Sequence, residues 1–260
     1  MMEKTPLVSV IMPAYNMERF ITPAIRSVQQ QTMEDWELLV IDDGSQDRTC
    51  QIVEELAAQD SRIRFLRNEV NMGVAKTRNR GFDLCRGEYV ALLDSDDVWM
   101  PRKLESQLQV ARDTGADIVY CSYGMTDERD NRVCADFIVP ETTDYAHSLV
   151  QSVISCSTAL LSRGIVDSYR FVPEYYHEDL VLWLQLLRDG YRACGATEVL
   201  ASYRLLDGTR ASNKARTALN RWRVYRNYLK LPVWKCASLL SQYALLGFRK
   251  YKRSESGNPR

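Results

Sequence analysis

No glycine-rich loop follows the first strand-like segment of this 260-residue chain. Leu7-Val8-Ser9-Val10-Ile11-Met12 runs straight into Pro13-Ala14-Tyr15-Asn16. Both the Gly-x-Gly-x-x-Gly dinucleotide cradle and the Gly-x-x-x-x-Gly-Lys-[Ser/Thr] P-loop are therefore missing, together with the phosphate-binding modes they support. Cys-x-x-Cys is absent too. The seven cysteines are odd in number and scattered, which reads as small core residues in a reducing compartment and argues against a disulfide or zinc framework. No secretory leader is expected, because Met1 to Pro6 leads directly into a strand. The longest uncharged stretch near the C-terminus, Cys236 to Phe248, has 13 residues, too few to span a bilayer. Internal repeats and low-complexity linkers are also lacking.

Net charge is formally zero, but it is unevenly placed. Of 34 basic and 34 acidic residues, 13 basic and only one acidic (Glu255) lie beyond Gly208. An acidic body with a basic tail calls for a polyanionic partner at the tail. There Arg216, Arg221, Arg223, Arg226 and Lys230 interleave with Leu219, Trp222, Tyr225, Tyr228 and Leu229, ahead of an apolar stretch and the cluster Arg249-Lys250-Tyr251-Lys252-Arg253. Basic residues flanking Trp, Tyr and Leu suit helices lying in an anionic membrane interface. No nucleic-acid-binding motif accompanies the charge, so no nucleic-acid partner is expected.

Strand and helix signals alternate through the first half. Strands are predicted at 7–12, 36–41, 63–66, 89–93 and 117–120, and helices at 21–30, 49–59, 74–85 and 101–114. A further helix is predicted over Asp179 to Arg188. Such alternation builds right-handed crossovers and a mainly parallel sheet covered on both faces, with ligands beyond the carboxyl ends of its strands. Three polar clusters follow strands immediately: Ala14-Tyr15-Asn16, Asp42-Asp43-Gly44-Ser45 and Asp94-Ser95-Asp96-Asp97. In the last cluster an apolar strand, Tyr89 to Leu93, delivers three carboxylates within four positions. Like charges that close are relieved by a divalent cation, and hard oxygen ligands suit Mg²⁺ or Mn²⁺ carrying a diphosphate.

Val8-Ser9-Val10-Ile11-Met12-Pro13-Ala14-Tyr15-Asn16, Gln31-Thr32 and Val40-Ile41-Asp42-Asp43-Gly44-Ser45-Gln46-Asp47 together resemble the family-2 glycosyltransferases. Asn71-Met72-Gly73-Val74-Ala75-Lys76-Thr77-Arg78-Asn79, Gly87-Glu88-Tyr89-Val90, the acidic cluster and Glu178-Asp179 extend that resemblance in order over residues 7 to 206. It implies a GT-A fold, a Rossmann-like α/β sheet with a nucleotide half and an acceptor half, and transfer from a nucleotide-sugar with inversion. The expected organisation is a catalytic domain at 1–208, split near 122/123 into those two halves, and a basic helical tail at 209–260.

The resemblance also implies roles. Pro13, Ala14, Tyr15 and Asn16 would border the nucleobase, with Tyr15 stacking on it. Asp43 would accept the base N–H, while Asp42 orders the turn. Arg78 would contact donor phosphate. Asp94-Ser95-Asp96 matches the family's Asp-x-Asp motif, with Asp96 on the metal and Asp94 on the ribose or a metal-bound water. Asp97 would orient the site or face the acceptor sugar. Asp179 would be the base that takes the acceptor proton, with Glu178 structural or acceptor-binding. Many relatives carry Tyr-Arg-x-His where this chain has Tyr203-Arg204-Leu205-Leu206, so the histidine is missing; Arg210 is the candidate substitute for its charge. The expected partners are a UDP-hexose donor, a lipid-linked glycan acceptor of cell-surface polysaccharide synthesis and an anionic membrane at the cytoplasmic face. Two rivals are a catalytically silent nucleotide-sugar-binding subunit and a sugar nucleotidyltransferase. The latter class announces itself with a Gly-rich basic loop that Pro13-Ala14-Tyr15-Asn16 is not.

Overall fold

A computed structural model of the chain describes residues 5–206 and 214–255, the side chains of 214–216 and 246–255 aside. Apolar, β-branched sequence makes the central strands. β1 (Val8–Ala14) and β2 (Trp36–Asp42) are buried along their whole length, as strands covered on both faces must be. β3 (Ile63–Arg67) and β4 (Tyr89–Leu92) complete a parallel block in the order β3–β2–β1–β4. The register sets Ala14 against Asp42 and Ile11 against Leu92. The three polar clusters therefore emerge side by side at one rim.

The helices α1 (Ile21–Gln29), α2 (Thr49–Ala57), α3 (Val74–Leu84) and α4 (Lys103–Thr114) return the chain between strands. Residues of α1, α2 and α4 bury against one sheet face with Val10, Met12, Leu38 and Val40. Those of α3 cover the other face with Ile11, Leu39 and Leu92. α3 lies so close that a Cβ on Gly81 would meet Ile11 Cγ2 at 2.5 Å. A side chain there would push helix and sheet apart.

The second half of the sheet departs from simple alternation. β6 (Ile118–Thr126) does not pair with β4, because β8 (Leu160–Ser162) runs antiparallel between them. Three residues give no periodic signal, yet Leu160 and Leu161 fill the two faces at that point. β9 (Ala193–Arg204) runs parallel to β6, with register shifts around Ser122. Two short strands, β5 (Val98–Trp99) and β7 (Thr142–Thr143), pair antiparallel with β9. The sheet is mixed, with helices on both faces; its first four strands form the parallel block that the strand–helix alternation implied.

α5 (Tyr145–Val150), α6 (Arg163–Ser168) and α7 (Glu178–Arg188) pack on the same side as α3. Beyond β9, α8 (Lys214–Arg223) continues into a π-helical turn at Val224–Tyr228, and α9 (Val233–Glu255) ends the described chain. The tail is joined to the body. Val224, Tyr225, Cys236 and Leu239 form a third core with Leu149 of α5 and Leu180, Val181 and Leu184 of α7. α7 is thus apolar nearly all round because it is covered on both sides. Among the described residues no helix is long and apolar enough to cross a membrane. The expected boundary at 208/209 and Arg210 lie outside the described residues.

Candidate active site

The rim built by β1, β2 and β4 is held by its own polar side chains. Asn16 adopts a left-handed backbone, φ 54°. Its amide donates to Ser45 Oγ at 2.9 Å, and its side-chain oxygen accepts from the Gln46 amide at 2.8 Å. Asp42, fully buried, accepts from the amides of Gly44 and Ser45 at 3.1 and 3.0 Å. It closes the turn in which Gly44 takes φ +80°, a conformation that costs glycine little. Asp47 accepts from the Thr49 amide at 2.9 Å and caps the entry to α2. Pro13 and Ala14 are buried at the strand end, whereas Tyr15 is 43% exposed beside them.

Asp43 is turned into the loop before α3. Its carboxylate, 4% exposed, accepts from Asn68 Nδ2 at 2.7 Å and from the amides of Met72 and Gly73 at 2.9 and 2.8 Å. Three of about four acceptor positions on a carboxylate are thereby used.

Arg78 of α3 lies at the centre of the site, 4% exposed. Nη2 donates to Asp94 Oδ1 at 2.5 Å and Nη1 to Glu178 Oε1 at 2.8 Å. The guanidinium also sits 5.3 Å from the Phe171 ring centre. Burial opposes its charge, but the carboxylates of Asp94 and Glu178 outweigh that and hold Arg78 protonated. One side chain therefore joins the Asp-x-Asp segment to the mouth of α7, residues 94 and 178 in one chain of ion pairs.

The acidic cluster divides into buried and reachable members. Asp97 is 1% exposed; it accepts from the Ser157 hydroxyl and from the Arg204 amide, the latter at 2.9 Å. Burial, then the charges of Asp96 and Asp94, push its pKa well up. That buried position turns Asp97 toward Arg204 of β9. Ser157 Oγ also accepts from the Asp94 amide at 3.1 Å, so one hydroxyl ties Asp94 to Asp97. Arg204 donates from Nε to the Asp96 carbonyl at 2.9 Å and pairs with Asp130 at 2.7 Å. Asp94 and Asp96 are half-buried. Burial first, and the neighbouring Asp94 charge second, push the Asp96 carboxyl up to about 6.

Among the described residues no three His, Cys, Asp or Glu side chains converge as a complete metal cage. The donor set nonetheless fits a hard divalent cation. Mg²⁺-like ions are held by one or two carboxylates plus substrate phosphates, and Asp96 with Asp94 supplies that much. The crowding that raises Asp96 is what a cation would relieve.

Asp179 is half-buried at the start of α7. It opens on a cleft of about 260 Å³ lined also by His177, Ser152, Thr217, Arg221 and Tyr243. Burial raises its pKa, the Leu180 amide and Arg78 pull it down, and Asp94 pushes it up again. Glu178 lines the adjoining cleft of about 870 Å³, between Gly73 to Ala75, Tyr175, Tyr176 and α8. The structure thus gathers Tyr15, Asp42, Asp43, Arg78, Asp94, Asp96, Asp97, Glu178 and Asp179 around one rim. Ser157 and Arg204 join them without having been picked from sequence. Ser157 lies in a 3₁₀ turn (Cys156–Thr158) that carries no pattern, whereas Arg204 stood in the Tyr203-Arg204 segment and could have been found there.

Comparison with known proteins agrees with this geometry. The family model "Glycosyl transferase family 2" matches residues 9–148. The protein named teichuronic acid biosynthesis glycosyltransferase TuaG, from Bacillus subtilis, is 35% identical over 94% of this chain and 97% of its own length. The Escherichia coli UDP-Glc:alpha-D-GlcNAc-diphosphoundecaprenol beta-1,3-glucosyltransferase WfgD is also 35% identical, over 94% of this chain and 95% of its own. Among solved structures, Staphylococcus aureus TarS in complex with UDP-GlcNAc superposes with a TM-score of 0.70 at 20% identity, covering 91% of this chain and 71% of that one. The Pyrobaculum calidifontis mannosyltransferase PcManGT, in complex with GDP-Man and Mn²⁺, gives a TM-score of 0.70 at 16% identity, covering 99% and 77%. At those identities the two structures speak for the fold. By family model and by relatives that match along nearly their whole length, this chain belongs to glycosyl transferase family 2.

Proposed function

We propose that the chain is an inverting glycosyltransferase that moves a hexose from a UDP-sugar to a hydroxyl of a lipid-linked glycan in cell-surface polysaccharide synthesis. One observation carries the reading: Arg78 pairs with Asp94 at 2.5 Å and with Glu178 at 2.8 Å. The donor-side carboxylates and the α7 carboxylate pair are thereby held in one rigid arrangement. Relatives spanning nearly this whole length support the substrate classes, since WfgD is named for a UDP-glucose donor and a diphospholipid acceptor.

In this mechanism Tyr15 stacks on the nucleobase, and Asp43 shapes the pocket by holding the loop 68–73. Asp94 binds the ribose side of the donor. Asp96, with Asp94, would hold a Mn²⁺ or Mg²⁺ ion, which neutralises charge on the departing diphosphate when bound. Asp179 accepts the proton of the acceptor hydroxyl as its oxygen bonds to the anomeric carbon. The bond from that carbon to the diphosphate oxygen breaks on the opposite face, and its electron pair leaves with UDP. Attack from the opposite face inverts the centre. Arg78 holds Glu178 in an ion pair at 2.8 Å and so ties the start of α7 to the donor side of the site.

A panel of nucleotide-sugars with Mn²⁺ tests this, scoring transfer to a short lipid-diphosphate acceptor and the product's anomeric configuration by NMR. A UDP-hexose is expected to give inverted product. Retained configuration, or binding of nucleotide-sugars without turnover on any acceptor, would overturn the reading.

The tail adds a proposed location at the cytoplasmic membrane face. Trp234 and Val233 at the start of α9 are 72% and 56% exposed, and Lys230 and Lys235 are exposed beside them. Each Lys or Arg near an anionic surface contributes about 1 kcal/mol, weakened by salt. The full chain is expected to pellet with anionic vesicles at low salt and to be released as salt rises. Lys230→Glu, Lys235→Glu and Trp234→Ala together should cut that binding at least tenfold, with UDP binding unchanged. Equal pelleting of both forms would remove this surface from the proposal.

A further inference from the structure

Three arginines of the described chain are nearly closed off from solvent: Arg78 at 4%, Arg204 at 3% and Arg221 at 6%. Arg78 holds Asp94 and Glu178, and Arg204 holds Asp130. Arg221, on α8, has no carboxylate within ion-pair distance among the described residues. Its bonds run from Nη1 to the carbonyls of Leu149 at 3.2 Å and Val150 at 3.5 Å and to the Tyr225 hydroxyl at 3.1 Å. The guanidinium lies 4.3 Å from the Tyr243 ring centre. Carbonyls, a hydroxyl and a ring face satisfy part of a five-donor fork but bring no carboxylate into contact with its charge. A buried cation in that state is costly.

Arg221 also lines the 260 Å³ cleft that holds Asp179. Around that cleft stand His177 from the start of α7, Ser152 from the loop after α5, Thr217 from α8 and Tyr243 from α9. Hydroxyls, an imidazole and a guanidinium are the groups that bind phosphate oxygens. The charge of Arg221 reaches Asp179, where it lowers the carboxyl pKa against the effect of burial. Base and cation therefore face the same space.

We propose that this cleft is a diphosphate-binding acceptor subsite, in which Arg221 holds the anionic group of the acceptor while Asp179 meets its hydroxyl. The proposal rests on the acceptor side of the glycosyltransferase reading and deepens it. It gives the C-terminal helices a role besides covering α7: α8 carries the anion-binding residue, and the third core fixes α8 against the base. A sugar linked to diphosphate presents a ring hydroxyl and an anion a few ångströms apart, which matches a cleft with a base and a cation on its walls. An acceptor lacking the anion would lose its anchor but keep its reactive hydroxyl.

The test uses the full chain in excess chelator, so that no cation on Asp94 and Asp96 can recruit the probe. Decyl diphosphate, inorganic pyrophosphate and decanol are titrated calorimetrically, and binding of UDP with Mn²⁺ is measured separately. Wild type is expected to bind decyl diphosphate, Arg221→Gln at least tenfold more weakly, and Arg221→Lys between them; decanol should not distinguish the three. Thr217→Glu places a negative charge in the cleft without touching the bonds of Arg221, and should also weaken decyl diphosphate at least tenfold. Tighter binding of decyl diphosphate than of pyrophosphate assigns the site to a lipid-linked anion. Equal binding assigns it to the diphosphate group alone, and both results support the subsite. No binding by wild type, or equal binding by wild type, Arg221→Gln and Thr217→Glu, would overturn it. Retained UDP and Mn²⁺ binding in every variant would leave the donor side of the enzyme standing in that event.

Discussion

Asp179→Asn is expected to abolish sugar transfer while leaving the fold and UDP binding intact. Asn keeps the shape and size of Asp but cannot take a proton, and general-base catalysis contributes roughly 10²–10⁴-fold. The Asp179 carboxyl is suited to the task, since burial raises its pKa and makes it a better proton acceptor, while the Leu180 amide and Arg78 oppose that rise. The local structure should tolerate the change, because the side-chain oxygen that accepts from the Leu180 amide at 2.7 Å is retained in Asn. Single-turnover transfer and UDP titration on the same preparation check the outcome. The neighbouring carboxylates are poor substitutes. Glu178 is 6% exposed and paired with Arg78, while Asp97 is 1% exposed and committed to Ser157 and Arg204. An Asp179→Asn enzyme within tenfold of wild type would therefore reject this base outright.

Much of the first half of the fold was legible because each element carries its own period. β2 was expected to start at Trp36 and α2 at Thr49, and both do. α7 was expected from Asp179 to Arg188 and begins one residue earlier. β2 is a fully buried strand, α2 a helix with one apolar face and α7 a helix covered on both sides, so local pattern and tertiary position agree. The second half breaks that agreement. β5 and β7 have two residues each and β8 three, lengths at which no alternation can be read. β9 mixes buried Ala193, Cys194 and Leu200 with exposed Thr197 and Glu198, and its register slips against β6, so its period is not constant.

The candidate site shows the same division. The carboxylates announce themselves by following strands, and the rim they share follows from parallel topology. What sequence did not show is which of them point outward. Asp43, expected at the nucleobase, also accepts from Asn68 and from the amides of Met72 and Gly73. Arg78, expected on donor phosphate, bridges the Asp94 and Glu178 carboxylates. Such choices are made by partners 16 to 100 residues away, where spacing in the chain carries no information. The basic tail is a further case. Its interleaved Trp, Tyr and Leu residues read as an interfacial face, and part of that apolar content is what caps α7, with Tyr225 fully buried and Trp234 left outside.

Asp96→Ala is expected to weaken metal-linked UDP-sugar binding and to lower turnover by about 10³-fold, roughly 4 kcal/mol in transition-state stabilisation. The argument begins with charge. Asp96 stands half-buried beside Asp94, and its carboxyl is raised to about 6 by burial and by that neighbour. A carboxyl whose folded pKa lies above its unfolded value favours the folded state at low pH, and loses that advantage as pH rises from about 4 through about 6. Without a cation the ionised cluster thus weighs against stability at neutral pH; with one, the repulsion becomes an attraction. Mn²⁺ and UDP together should raise the melting temperature of the wild type more at pH 7.5 than at pH 5, where Asp96 is largely protonated and a poor ligand. In Asp96→Ala the ligand-induced rise should shrink and lose its dependence on pH across that window. The ligand-free variant should be no less stable than wild type at pH 7.5, since a repelling charge has been removed. A variant with unchanged turnover in Mn²⁺, or a wild type fully active in excess chelator, would show that the cluster serves the fold and not a donor-bound cation.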